Sequence, residues 1–144
     1  MHILLARPPR RDNRDAGLPI PPLGLAYIAS TLEAQERSVE ILDAYSLGWS
    51  WEQFEQAIID RKPDVLGLGT MTPVASTAWR AARMARAHVK HIVVGGPHPT
   101  AVEHDIFSDC PEIDHGISGE GEETIGPYLD WLESSTVTPP PAGV

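Results

Sequence analysis

The chain has 144 residues, 42% hydrophobic and 22% charged, the make-up of one ordinary globular domain. Its formal net charge of −9 leaves no excess of basic side chains to neutralise phosphates, which argues against nucleic acid as a partner. No apolar run reaches the roughly 20 residues that span a bilayer, and Met1-His2-Ile3-Leu4-Leu5-Ala6-Arg7 is too short for a signal peptide, so a cytoplasmic protein without membrane contact is expected.

Met1 to Ala6 is apolar at nearly every position, as a parallel strand covered on both faces would be. Pro8, Pro9, Pro19, Pro21 and Pro22 exclude helix or central strand, so residues 7–21 form a loop. Leu25, Ala26, Ile28, Ala29 and Leu32 recur at helical spacing and predict a helix from Leu23 to Gln35, with Pro22 near its first turn. Val39 to Ala44 reads as a second strand. Ser50 then caps a helix from Trp51 to Arg61, with Glu52 and Glu55 near its positive end and Arg61 and Lys62 near its negative end.

Pro63-Asp64 stops that helix, and Val65 to Gly69 is a third, buried strand followed by a turn at Thr70 to Pro73. A helix from Val74 to Val89 puts Ala75, Ala78, Ala82, Ala85 and Val89 on one face of small residues suited to close packing on a sheet. His91 to Val94 is the fourth strand. A short helix near Ala101 to Phe107, a weak fifth strand at Ile113 to Ile117 and a last helix from Glu122 to Leu132 complete the domain, residues 1–133. The proline-rich remainder, 134–144, reads as a linker or frayed end.

Five strands alternating with helices predict an α/β fold: a doubly wound, five-stranded parallel sheet in a flavodoxin-like (Rossmann-like) three-layer sandwich, strand order 2-1-3-4-5. Such sheets bind ligands beyond the carboxyl ends of their strands, at the topological switch point.

The loop after strand three, Gly67-Leu68-Gly69-Thr70-Met71-Thr72, joins two glycines to two hydroxyls. Its glycines permit close approach to the backbone, and Thr70 and Thr72 can donate to a polar ligand edge. It reads equally as a tight turn with Thr72 as helix cap. After strand four, Gly95-Gly96-Pro97-His98-Pro99-Thr100 removes two side chains where a large flat ligand can lie, and its prolines stiffen the turn. A lone loop histidine such as His98 is more often exposed than a metal ligand, and no metal-binding residue is predicted. Ser118-Gly119-Glu120-Gly121-Glu122-Glu123 follows strand five, with acids suited to a helix N-terminus. Arg7, Arg10, Arg11 and Arg14 crowd the first loop as a solvated basic segment or a local anion site. Cys110, the single cysteine, reads as a turn residue and can form neither an internal disulfide nor the thiolate grip on an iron–sulfur cluster.

Several activities of this fold class lack their residues. A phospho-acceptor receiver needs carboxylates where Arg7-Pro8 and Gly69-Thr70 stand; a flavodoxin needs a phosphate loop where the chain has prolines and arginines. The dinucleotide and P-loop fingerprints are absent. A hydrolase built on His98 and Glu120 lacks a recognisable nucleophile.

Pro21-Pro22-Leu23-Gly24-Leu25-Ala26-Tyr27-Ile28-Ala29, Ile41-Leu42-Asp43-Ala44, Pro63-Asp64-Val65-Leu66-Gly67-Leu68-Gly69, Val94-Gly95-Gly96-Pro97-His98-Pro99-Thr100 and Gly119-Glu120-Gly121-Glu122 together resemble the N-terminal cobalamin (vitamin B12)-binding domain of cobalamin-dependent radical S-adenosylmethionine enzymes. The resemblance implies a corrin lying across the strand carboxyl ends with its nucleotide tail extending into the domain. It implies that Pro8, Pro9 and Leu23 border the ring and that Gly69, Thr70, Met71 and Thr72 meet its lower face and tail. It further implies that Gly95 and Gly96 let the tail pass, with Pro97, His98, Gly119 and Glu120 nearby.

Two departures matter. Arg7-Pro8-Pro9-Arg10-Arg11-Asp12 stands where mutase-like domains carry Asp-x-His-x-x-Gly, which implies cobalt without a histidine from that loop. The Cys-x-x-x-Cys-x-x-Cys motif is missing, so no iron–sulfur cluster and no radical chemistry are expected of this chain alone. The expectation is therefore a corrinoid-holding module without a catalytic centre of its own, serving a radical S-adenosylmethionine domain in cis or trans. The alternative is a module of the same fold that has lost its cofactor and serves interaction or regulation.

Overall fold

The computed structural model describes residues 1–11, 20–134 and 139–144. The middle of the first loop, including Asp12, Arg14 and Pro19, and residues 135–138 of the tail lie outside them. The described residues form five parallel strands in the order β2-β1-β3-β4-β5: β1 (His2–Arg7), β2 (Ser38–Asp43), β3 (Val65–Gly69), β4 (His91–Gly95) and β5 (His115–Ile117). The predicted topology is the observed one.

Alternation along the buried strands sends side chains to two separate layers. Leu4, Ala6, Leu66, Leu68, Ile92 and Val94 face α3 (Trp51–Arg61) and α4 (Ala75–Ala85). Ile3, Leu5, Val65, Val93 and Ile117 face α1 (Leu23–Ala34) and α7 (Gly121–Ser134). Phe54 and Ile58 anchor α3 with no exposed surface, each side chain contributing about 1.5–3 kcal/mol of burial. Its N-terminus is closed reciprocally: Gln53 N donates to Ser50 Oγ at 3.2 Å and Ser50 N donates to Gln53 Oε1 at 2.9 Å. The small-residue face of α4 is buried as predicted, from Ala75 through Ala85.

Local structure departs from the sequence reading at four places. The helix predicted from Val74 to Val89 is shorter, because Thr72–Val74 forms a 3-10 turn around Pro73 and the α-helix ends at Ala85. A four-residue helix, α2 (Ala44–Leu47), follows β2 with Asp43 as its cap, accepting from Ser46 N at 3.1 Å. The segment predicted as a stiff turn and one short helix is instead two helices, α5 (Pro97–Val102) and α6 (Asp105–Asp109). Pro97 and Pro99 occupy the first turn of α5, where absent amide hydrogens cost nothing. Residues 139–144, read as a linker or frayed end, lie against the domain. Ser118 N donates to Gly143 O at 2.8 Å, and Val144 packs on the α1–α7 side of the core.

The α5–α6 junction carries backbone strain. Glu103 has φ 49° and ψ −120°, the first central position of a type II′ turn, where glycine is the natural occupant. Glu103→Gly is therefore expected to stabilise the domain by about 1 kcal/mol. Denaturant unfolding reads this directly, and a loss of stability would refute the strain.

Candidate functional site

The carboxyl ends of β1, β3 and β4 open into a cleft of about 730 Å³. It continues from the sheet edge into the layer between the sheet and helices α1 and α7, where Ile3, Leu5, Val65 and Val93 line its lower part. Glycines form its floor. Gly67, Gly69 and Gly95 lie on the α1–α7 face, Gly69 beside Gly95 and Gly67 beside Val93 in the ladder. A Cβ at Gly67 would stand 2.8 Å from Leu5 Cδ2, and one at Gly69 would stand 3.1 Å from Leu25 Cδ2. A Cβ at Gly95 would meet only ordinary contacts, Ile117 Cβ at 3.9 Å being the nearest.

Gly96 also lines the cleft, but a different requirement accounts for its missing side chain. Its φ is +105°, and a Cβ there would lie 2.7 Å from the backbone oxygen of Thr70. The chain reverses here against the end of β3. Thr70 N donates to Gly95 O at 2.9 Å, and His98 N donates to Thr70 O at 3.4 Å. Thr70, a residue of the cleft wall, is consequently buried, 3% exposed, and its hydroxyl has no hydrogen-bond partner.

Of the predicted site residues, Pro8, Pro9, Leu23, Gly69, Thr70, Met71, Gly95, Gly96, Pro97, Gly119 and Glu120 all line this one cleft. Thr72 and His98 do not. They meet each other instead, Thr72 Oγ1 and His98 Nδ1 lying 3.1 Å apart. His98, expected in an exposed loop, is 7% exposed because Pro97 starts a helix that turns it inward, beside the Trp79 ring at 5.6 Å. Thr72 caps no helix: Met71 precedes the 3-10 turn and Val74 precedes α4, neither with a side-chain cap.

The cleft's mouth holds residues that the sequence reading placed only loosely. Arg7 and Arg10 both stack on Tyr45, with guanidinium carbons 3.9 and 4.7 Å from the ring centre. Arg7 also donates to Ile20 O at 2.8 Å and lies 3.8 Å from Asp43 Oδ2. These cations are thus organised by β2 and α2, although their sequence neighbours gave no sign of it. Gly67, Ile28 and Ile125 complete the apolar interior and were not predicted as site residues. Strand alternation from Gly69 would have put Gly67 on the same face.

Titratable groups with displaced pKa values lie away from the cleft. Burial and the Glu112 carboxylate push the Cys110 thiol up to about 11, leaving it a poor nucleophile. Burial holds His115 below the usual histidine range, and it packs against Tyr128, whose hydroxyl burial pushes up. Among the described residues there is no cluster of three or more metal-ligating side chains, and no helix is long and apolar enough to cross a membrane.

A parallel 2-1-3-4-5 sheet, opening at its switch point into a glycine-floored cleft, defines a doubly wound ligand-binding domain of flavodoxin-like class. A family model described as the B12 binding domain matches residues 12–127, and the chain belongs to that family. It is 34% identical over 136 residues to an uncharacterized methyltransferase of Pyrococcus horikoshii, a match covering 92% of this chain and 29% of that protein. It is 32% identical over 108 residues to the anaerobic magnesium-protoporphyrin IX monomethyl ester cyclase of Rubrivivax gelatinosus, covering 73% of this chain and 20% of that one. The chain therefore spans less than a third of the length of these curated relatives.

Two solved structures share the fold. TsrM, a radical S-adenosylmethionine methyltransferase from Kitasatospora setae, superposes with a TM-score of 0.78 at 18% identity, over 96% of this chain and 27% of that one. OxsB, a cobalamin-dependent S-adenosylmethionine radical enzyme with aqua-cobalamin bound, gives 0.78 at 20% identity, over 94% and 19%. The domain resembles those of cobalamin-dependent radical S-adenosylmethionine enzymes.

Proposed function

We propose that this domain holds a corrinoid for a separate radical S-adenosylmethionine domain, in the same polypeptide or another, and has no catalytic centre of its own. The observation that carries the reading is the cleft itself. A glycine floor, with the Leu5 and Leu25 side chains against Gly67 and Gly69, leads from the sheet edge into an apolar interior, and Thr70, whose hydroxyl is buried and unpartnered, lies on the wall. A group as large and flat as a corrin with a tail fits that arrangement, and a polar atom on the tail would satisfy Thr70. When bound, the corrinoid supplies the methyl-transfer or redox chemistry of its cobalt.

The chain's own residues bind and orient. Gly69 and Gly95 admit the tail. Pro8, Pro9, Leu23 and Met71 border the ring, and Thr70, Pro97, Gly119 and Glu120 bound the passage between. Thr72 and His98 act one layer behind, holding the segment after β3 against α5. Pro8-Pro9-Arg10-Arg11, which follow β1, include no histidine, so this stretch would offer a bound cobalt no histidine ligand.

Titration of the purified protein with hydroxocobalamin, followed by gel filtration, tests the reading through the visible spectrum. One corrin retained per chain is expected. A protein that emerges colourless overturns it and favours the cofactor-free interaction module of the same fold.

A further inference from the structure

The cleft has two chemically different ends. Arg7, Arg10, Arg11, Glu120 and Glu122 stand at its mouth, whereas Ile3, Val65, Val93, Ile28 and Ile125 line the interior. Ile3 precedes Arg7 on β1 by four residues, which at about 3.3 Å per strand residue places it about 13 Å below the edge. Backbone polar groups in that interior belong to the ladder joining β1, β3 and β4. Among the described residues lining the cleft, Thr70 Oγ1 is the one buried side-chain polar atom without a partner, and it sits near the edge.

Resting on the corrinoid reading above, we infer that this interior selects the corrinoid by its lower base, accepting a benzimidazole and discriminating against a purine. Corrinoids share their ring and differ at the base that ends the nucleotide tail. A benzimidazole bonded to ribose keeps a single free ring nitrogen and an otherwise hydrocarbon edge. That edge matches Ile3, Val65, Val93 and Ile125, and a single ring nitrogen leaves the fewest polar atoms to be buried there. Adenine in the same place carries several ring nitrogens and an exocyclic amine. Against these walls its extra polar atoms lose their water and find no partner, which is the costly case. The effect is one of specificity, separate from whether a corrin is held at all.

Equilibrium dialysis of the purified protein with three probes tests this: cobalamin, its adenine-based analogue, and cobinamide, which lacks the base. Cobalamin is expected to bind at least about tenfold more tightly than the adenine analogue, and more tightly than cobinamide. Equal or tighter binding of the adenine analogue overturns the selectivity while leaving corrinoid holding intact. Cobinamide binding as well as cobalamin overturns it too, because the base then gains nothing from the interior. Binding of none of the three removes the corrinoid reading itself.

Discussion

Gly96→Ala should destabilise the domain by about 2–4 kcal/mol, lowering the melting temperature by about 10 °C at about 3 °C per kcal/mol for a chain of this size. Two costs combine at this position. Its φ of +105° and ψ of −170° lie in a region that only glycine occupies freely. The added methyl would also stand 2.7 Å from the Thr70 oxygen, a backbone atom that strand pairing and the His98 amide hold in place. Gly119→Ala is the internal control. Its φ is +78°, and a Cβ there meets nothing within 4 Å, so only the dihedral cost of about 1 kcal/mol applies. Thermal unfolding of both variants separates collision from dihedral strain. Equal losses would show that Gly96 is not pressed against β3.

The contrast between these glycines explains what the sequence could and could not disclose. Strand order and the edge that carries the site were legible because the central strands are apolar runs, as at Val65 to Gly69 and Ile92 to Gly95, with helical spacing between. What the glycine pair does was not legible. Gly95 and Gly96 look alike in sequence and both line the cleft, yet only at Gly96 would a side chain collide with the Thr70 backbone. The role of His98 was hidden for the same reason. Its partner Thr72 lies on a different loop, and only the pairing of β3 with β4 brings them within 3.1 Å. Pro97 and Pro99 read as turn stiffeners because prolines that open a helix and prolines that end one look identical without the hydrogen-bond pattern. Arg7 and Arg10 read as a solvated run or a local anion site, since nothing near them in sequence announced that Tyr45 would lie beneath both.

Gly95→Val should leave folding nearly unchanged and weaken corrinoid binding by about 100-fold or more, equivalent to about 3 kcal/mol. The position tolerates a side chain as far as the protein is concerned. It ends a strand, where a β-branched residue is favourable, and its Cβ would meet Ile117 only at ordinary contact distance. The rest of the valine side chain must extend over the floor that Gly95 shares with Gly69, the surface that any tail entering the interior has to cross. Close-packed ligands cannot yield that space without leaving the cleft, so the penalty falls on binding and not on stability. Matched circular dichroism melts and hydroxocobalamin titrations of wild type and variant make the distinction. Should the valine protein melt normally and still hold corrin at wild-type affinity, the tail does not cross the glycine floor, and the entry route argued from Gly69 and Gly95 is wrong.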